Sequence, residues 1–180
     1  MKKILFLIAL IAIFIIPPRA HAAEIHSESS AKLVSNIPVK ANVLDARVKA
    51  LKNVFTNHNS PLVDEAVNYV KYADMYGVDW KLLPAISGLE SSFGLRLMPG
   101  SHNAYGWGGG HIYFESWEDG IRVINKALAE RYMARGATDV WLIGPIYAES
   151  PTWAVRVNRF MNEINEEYVK LSTFSVVPSI

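Results

Sequence analysis

Most of the apolar positions in this chain fall at helical spacing. Val43, Val48, Leu51, Val54 and Phe55 mark one face of a helix over 43–57, which His58 and Asn59 end. Ser60 and Pro61 open the next helix. A serine can cap free N–H groups there, and proline suits the first helical position. Leu62, Val63, Ala66, Val67, Val70, Ala73 and Met75 mark its face to Tyr76, and Gly77 stands where a helix stops. Asp79 can cap a third helix over 80–92, with Trp80, Leu82, Leu83, Ile86 and Leu89 as its apolar set. Pro84 lies close enough to that start to be tolerated, and Gly94 marks the break. From Leu95 to Glu115 the period is lost among glycines and aromatic residues. That pattern predicts a loop and a short two-stranded hairpin, Trp107 to Tyr113, turning at the glycines. Ser116 to Asp119 is a capping-box variant that opens a helix over 117–134, stopping at Gly136. Thr138 can cap a short helix to Ile143, which Gly144-Pro145 breaks. After a loop at Tyr147–Ser150, Ser150-Pro151 starts the last helix, which carries Trp153, Val157, Phe160, Ile164 and Tyr168 and runs to Leu171. The pattern as a whole predicts a mainly α domain over 43–171, with six helices, one short β-hairpin and a frayed tail at 172–180.

The first residues read differently. Lys2 and Lys3 precede an unbroken apolar run from Ile4 to Ile16, and Ala20-His21-Ala22 follows. This is the order of a secretory signal peptide, with cleavage expected after Ala22. The apolar run is 13 residues, short of the roughly 20 that a membrane-spanning helix needs. An uncleaved N-terminal anchor is the alternative, and either reading places the remainder outside the cytoplasmic membrane. Residues 23–42 are polar and weakly patterned, as in an exposed leader or linker.

Composition narrows the classes of partner. The 180-residue chain carries a formal charge of +1, and loss of Lys2, Lys3 and Arg19 would bring it to −2. A charge so near zero gives no electrostatic footprint for nucleic acid and no polybasic run for an anionic membrane. The Lys and Arg residues from Arg122 to Arg135 read as a solvated helix face. No cysteine is present, so disulfides and a cysteine-linked lipid do not apply. The histidines have no metal-ligand spacing, and neither a metal nor another cofactor is expected. Five Trp and eight Tyr would suit stacking on the faces of a sugar polymer.

One carboxylate breaks the apolar pattern: Glu90, near the end of the third helix in Ala85-Ile-Ser-Gly-Leu-Glu-Ser-Ser-Phe-Gly94. It faces either water, as most glutamates do, or a cleft. A carboxylic acid among apolar groups can stay neutral near pH 7 and donate a proton to a glycosidic oxygen. The Glu90 helix end, the aromatic-glycine loop and the Tyr147 loop are the segments that would have to converge. Taken singly, Glu90 reads equally as a surface residue, the loop as a packed turn and Tyr147 as a core tyrosine.

The order of these segments resembles the lysozyme-like peptidoglycan-cleaving enzymes, and within them the endo-β-N-acetylglucosaminidase group of autolysins and flagellar glucosaminidases. The matching segments are Glu90-Ser91-Ser92-Phe93-Gly94, His102-Asn103-Ala104-Tyr105-Gly106, Phe114-Glu-Ser116-Trp117 to Ile121, and Tyr147-Ala148 before Trp153, all within about Ser60 to Ile164. The resemblance implies a lysozyme-like helical fold and an exported monomeric glycosidase acting on peptidoglycan glycan strands. It implies Glu90 as catalytic acid with Tyr147 beside it, and Ser91, Asn103, Tyr105 and Trp107 as substrate-binding residues. The chain departs from that group in one respect. Its expected hairpin is short and holds no acid, where the group's longer hairpin often carries a second one. The nearest later acid, Glu115, is a candidate for activating water. Otherwise Glu90 works alone, and an N-acetyl group or the C6 hydroxyl of the sugar attacks. The C6 route is lytic transglycosylation. A non-catalytic glycan-binding protein on the same scaffold is the competing class.

Overall fold

The computed structural model describes the backbone of residues 37–174 and the side chains of 46–173. The expected signal segment, most of the leader and the last residues of the tail lie outside the described residues. All that follows belongs to one compact unit, Ser35–Ile180.

The domain is mainly α, as the periodicity predicts. Six α-helices follow one another: α1 Ile37–Asn57, α2 Ala66–Tyr76, α3 Leu82–Ser91, α4 Trp117–Ala127, α5 Val140–Tyr147 and α6 Trp153–Phe174. Helix α1 thus starts six residues before the expected 43, inside the segment read as leader. Helix α6 packs along α1, α3 and α5, while α2 packs on α4. Leu51, Phe55, Leu62, Leu83, Ile86, Ile121, Ile124 and Trp153 are fully enclosed between them. Among the described residues no helix is long and apolar enough to cross a membrane.

Local chemistry explains the boundaries. Ser60 Oγ accepts from the Leu62 N–H and donates to the Phe93 carbonyl, which ties this segment to the far end of α3. The helix expected to start there begins only at Ala66, after a 3₁₀ turn at Val63–Glu65, and Val67 and Met75 of its expected face are exposed. Ser116 Oγ accepts from the Asp119 N–H, as the capping box predicts. The Asp119 carboxylate reaches the N–H of Glu115, one residue earlier than the usual reciprocal bond. At α5 the cap is Asp139 and not Thr138: its Oδ1 accepts from both Trp141 and Leu142 N–H. Gly144-Pro145 does not break that helix, which runs through to Tyr147. Pro145 lies in its last turn, where the missing N–H costs one intrahelical bond, and the double cap at the other end holds the helix.

The expected hairpin is not there: the described residues contain no β-strand. The reason lies in the glycines. Gly106, Gly108, Gly109 and Gly110 all adopt positive φ, from 60° to 83°, which no extended strand can contain. The segment instead winds into tight turns, with Gly110 N–H bonding the Gly106 carbonyl at 3.1 Å and His111 N–H bonding that of Gly108 at 3.3 Å.

Helix α4 also ends differently from expectation. A π-helical turn, Leu128–Tyr132, follows it, then a 3₁₀ turn, Met133–Arg135, before Gly136. The widened turn shifts the register of whatever follows, a feature frequent beside functional sites.

Candidate active site

Glu90 is the penultimate residue of α3, and the chain reverses immediately after it. Ser92, Phe93 and Gly94 take φ of 52°, 58° and 84° in succession. Two non-glycine residues in the left-handed region are costly and persist only where their surroundings fix them. Here the Phe93 N–H bonds the Ser87 carbonyl, Ser60 holds the Phe93 carbonyl, and the Phe93 ring packs edge-on against Phe55 and Phe160. This turn leaves Glu90 at the rim of the core, exposed yet with both carboxylate oxygens in contact with protein. It therefore faces a cleft and water at once.

Oε1 accepts the indole N–H of Trp153 at 2.7 Å. Trp153 is 1% exposed and stacks on Tyr147, with ring centroids 4.8 Å apart at 25°. Its place is set by the close approach of α5 and α6, where a Cβ on Gly144 would lie 3.3 Å from the Trp153 ring. Oε2 lies against Gly106: a side chain there would put Cβ 2.8 Å from that oxygen. An indole nitrogen can only donate, so Oε1 must accept. Oε2 is left as the oxygen without a fixed donor, on the side that the missing Gly106 side chain leaves open.

Two cavities share Gly106 and Gly109 in their linings. One, of about 410 Å³, is bordered by Glu90, Arg96, Met98 and Asn103. The other, of about 490 Å³, is bordered by Trp107, Tyr132, Tyr147, Arg131 and Arg135. Rings of Trp107, Tyr132 and Tyr147 form a connected aromatic wall, with centroids 5.9 to 6.4 Å apart.

The residues singled out in the sequence divide by what their polar atoms do. Glu90 and Tyr147 converge, and the charge of Glu90 helps to hold the Tyr147 hydroxyl neutral well above its usual range, after burial as the larger cause. That hydroxyl donates to the Tyr105 carbonyl at 2.8 Å, so Tyr147 braces the loop and presents its ring to the cavity. Trp107 lines the same cavity. Ser91 is buried. Its hydroxyl lies 2.8 Å from the Ala104 carbonyl and accepts the Gly94 N–H, fastening the loop to α3. Tyr105 is fully buried with its hydroxyl 3.0 Å from that of Tyr69, inside the core.

Asn103 has no amide group to spare. Its Nδ2 donates to the carbonyls of Trp107 and Ile112, and its Oδ1 accepts the Trp107 N–H. It supplies the bonds a hairpin ladder would have made. Glu115 is exposed in the approach to α4 and borders neither cavity.

Four participants were not legible as such. Trp153 reads only as an apolar position of α6, Tyr132 as one more aromatic residue, and Arg131 and Arg135 as solvated helix face. The π-turn brings the last three to the cavity, and no one-dimensional period signals it. Among the described residues no cluster of His, Asp or Glu is arranged to hold a metal ion. No protein-family model matches the chain, and no curated protein matches it in sequence.

Proposed function

We propose that the protein is an exported glycosidase that cleaves the β-1,4-linked, N-acetylated glycan strands of peptidoglycan, with Glu90 as general acid. The observation that carries this reading is the mounting of Glu90. One oxygen is fixed by a buried donor, the other is open beside a glycine, and an aromatic wall adjoins them. Such a carboxyl is oriented before substrate arrives, as acid catalysis requires. The resemblance in segment order supports the choice of polymer.

In this reading Oε2–H protonates the glycosidic oxygen as the C1–O bond breaks. The cavity beside Glu90 is bordered by no second carboxylate. That favours an internal nucleophile over a second acid activating water. In the hydrolytic route, the acetamido oxygen of the sugar closes on C1, and water then opens the ring while Glu90 takes up its proton. In the second route the C6 hydroxyl attacks C1 and gives its proton to Glu90, leaving a 1,6-anhydro end. Both use the same single carboxylate.

The test is digestion of purified peptidoglycan with mass spectrometry of the products. Reducing GlcNAc ends identify the glucosaminidase and 1,6-anhydro-MurNAc ends the transglycosylase. Glu90→Gln should abolish release while the far-UV spectrum and melting temperature stay unchanged. Equal release by the two proteins would remove Glu90 from the mechanism, and no release by the wild type would leave the non-catalytic glycan-binding class.

A further inference from the structure

The cavity bordered by Tyr132 and Tyr147 holds two cations, Arg131 and Arg135, and no carboxylate borders it. Among the described residues neither guanidinium has a hydrogen-bond or ion-pair partner. On the preceding turns, by contrast, Arg122 is bonded to Asp119 at 2.7 Å and Lys126 lies 3.9 Å from Glu130. Basic residues at the end of a helix are ordinarily explained by the helix dipole, which a side chain turned to bulk solvent serves equally well. These two are exposed as well, and they also border a cavity with flat rings. They are placed there by the π-turn at Leu128–Tyr132 and the 3₁₀ turn at Met133–Arg135. In a chain of formal charge +1, a cavity with two unpaired guanidiniums is a local departure from balance. Guanidinium forks match carboxylates in shape and charge.

We propose that Arg131 and Arg135 form an anion subsite that recognises a carboxylate carried on the glycan strand, making them specificity-determining residues. The inference rests on the glycan-cleaving reading and deepens it. The aromatic wall takes the sugar faces, and the arginines distinguish an acidic strand from a neutral one of the same backbone. The carboxylate has two sources on such a polymer, the lactyl group of the sugar or the termini and side chains of attached peptides. Both present the same planar anion.

The experiment is titration calorimetry with the full chain carrying Glu90→Gln, so that strands are bound without turnover. Three probes are used: a neutral GlcNAc hexasaccharide, peptide-free peptidoglycan strands and peptide-bearing strands. The acidic strands should bind about tenfold more tightly than the neutral one, with the advantage shrinking as salt rises. The Arg131→Gln/Arg135→Gln double variant should bring acidic strands down to the neutral level and leave hexasaccharide binding unchanged. Full preference with peptide-free strands assigns the subsite to the lactyl carboxylate, and preference only with peptide-bearing strands assigns it to the peptide. Equal affinity for neutral and acidic strands, or a preference that survives the double variant, overturns the subsite and leaves the role of Glu90 standing. Binding of none of the three overturns the subsite together with the glycan reading.

Discussion

The buried indole of Trp153 donates its N–H to Oε1 of Glu90 across 2.7 Å, joining the middle of the chain to its last helix. This bond fixes which carboxylate oxygen is free. It also makes the orientation of Glu90 depend on the packing of α6 and not on α3 alone.

Trp153→Phe keeps an aromatic ring against Tyr147 and removes the donor. We expect kcat on peptidoglycan to fall by about tenfold to a hundredfold, with KM little changed, in line with the roughly 1.5–3 kcal/mol of a hydrogen bond to a charged group. The smaller ring should also lower stability by about 1–3 kcal/mol, read from denaturant midpoints. A variant that loses stability but retains full kcat would make Trp153 a packing residue only.

Gly106→Ala tests the open side of the carboxyl. The new Cβ would stand 2.8 Å from Oε2 at a backbone φ of 64°. Left-handed strain of this kind costs about 1–3 kcal/mol, and the carboxyl must swing away from its place beside Trp153. Activity should be lost out of proportion to the drop in melting temperature, and tryptophan fluorescence should report the disturbed indole.

Asn103→Asp replaces two donated N–H groups with a carboxylate facing the Trp107 and Ile112 carbonyls. Leaving those partners unsatisfied should cost about 1–3 kcal/mol. The loss should be local: limited proteolysis should cut between 106 and 112 while the helical signal is retained. A loop as resistant as wild type would show that the amide does not hold it.

Tyr69 and Tyr105 share a hydroxyl pair in the core, 3.0 Å apart. Burial is the main cause pushing both phenols up from their usual value near 10. The folded state then keeps its protons where the unfolded chain loses them. Stability should be full below about pH 10 and fall above it, by roughly 1.4 kcal/mol per pH unit for each phenol that stays neutral. The Tyr69 hydroxyl also lies near the Ser87 side chain, whereas the hydroxyl of Tyr105 has Tyr69 as its hydrogen-bond partner. Tyr69→Phe should therefore destabilise more than Tyr105→Phe, and the double variant should be little worse than Tyr69→Phe alone. Denaturant titrations at pH 8 and 11 check both points.

The helices were legible because their information is periodic and local. Ser116 and the apolar faces each speak for a stretch of a few turns, and the structure agrees with most of them, while the helix expected from Ser60-Pro61 starts only at Ala66, after a 3₁₀ turn. The loop was legible only as a break. Its glycines suggest a hairpin turn, but so many in succession at positive φ leave no residues for strands, and Asn103 takes over the bonding from a distance of up to nine positions. Glu90 could be singled out as a carboxylate out of place in an apolar run. Its partners could not, because Trp153 is 63 residues away and looks like any buried aromatic residue. Arg131 and Arg135 are exposed, as the sequence suggests, but the π-turn before them gave no sign in the period that they also border the cavity.

The clamp at Asn103 has a consequence for variation. With three of its bonds gathered on one amide near its base and others made within its own tight turns, the glycine loop does not depend on a ladder that must stay in register. Insertions near its tip, between Gly109 and Gly110, need not shift a strand pair or disturb the seat of Glu90, whereas exchange of either glycine meets the strain of its positive φ. The reach of the cleft can then change by single insertions while the acid stays where α3 and Trp153 hold it.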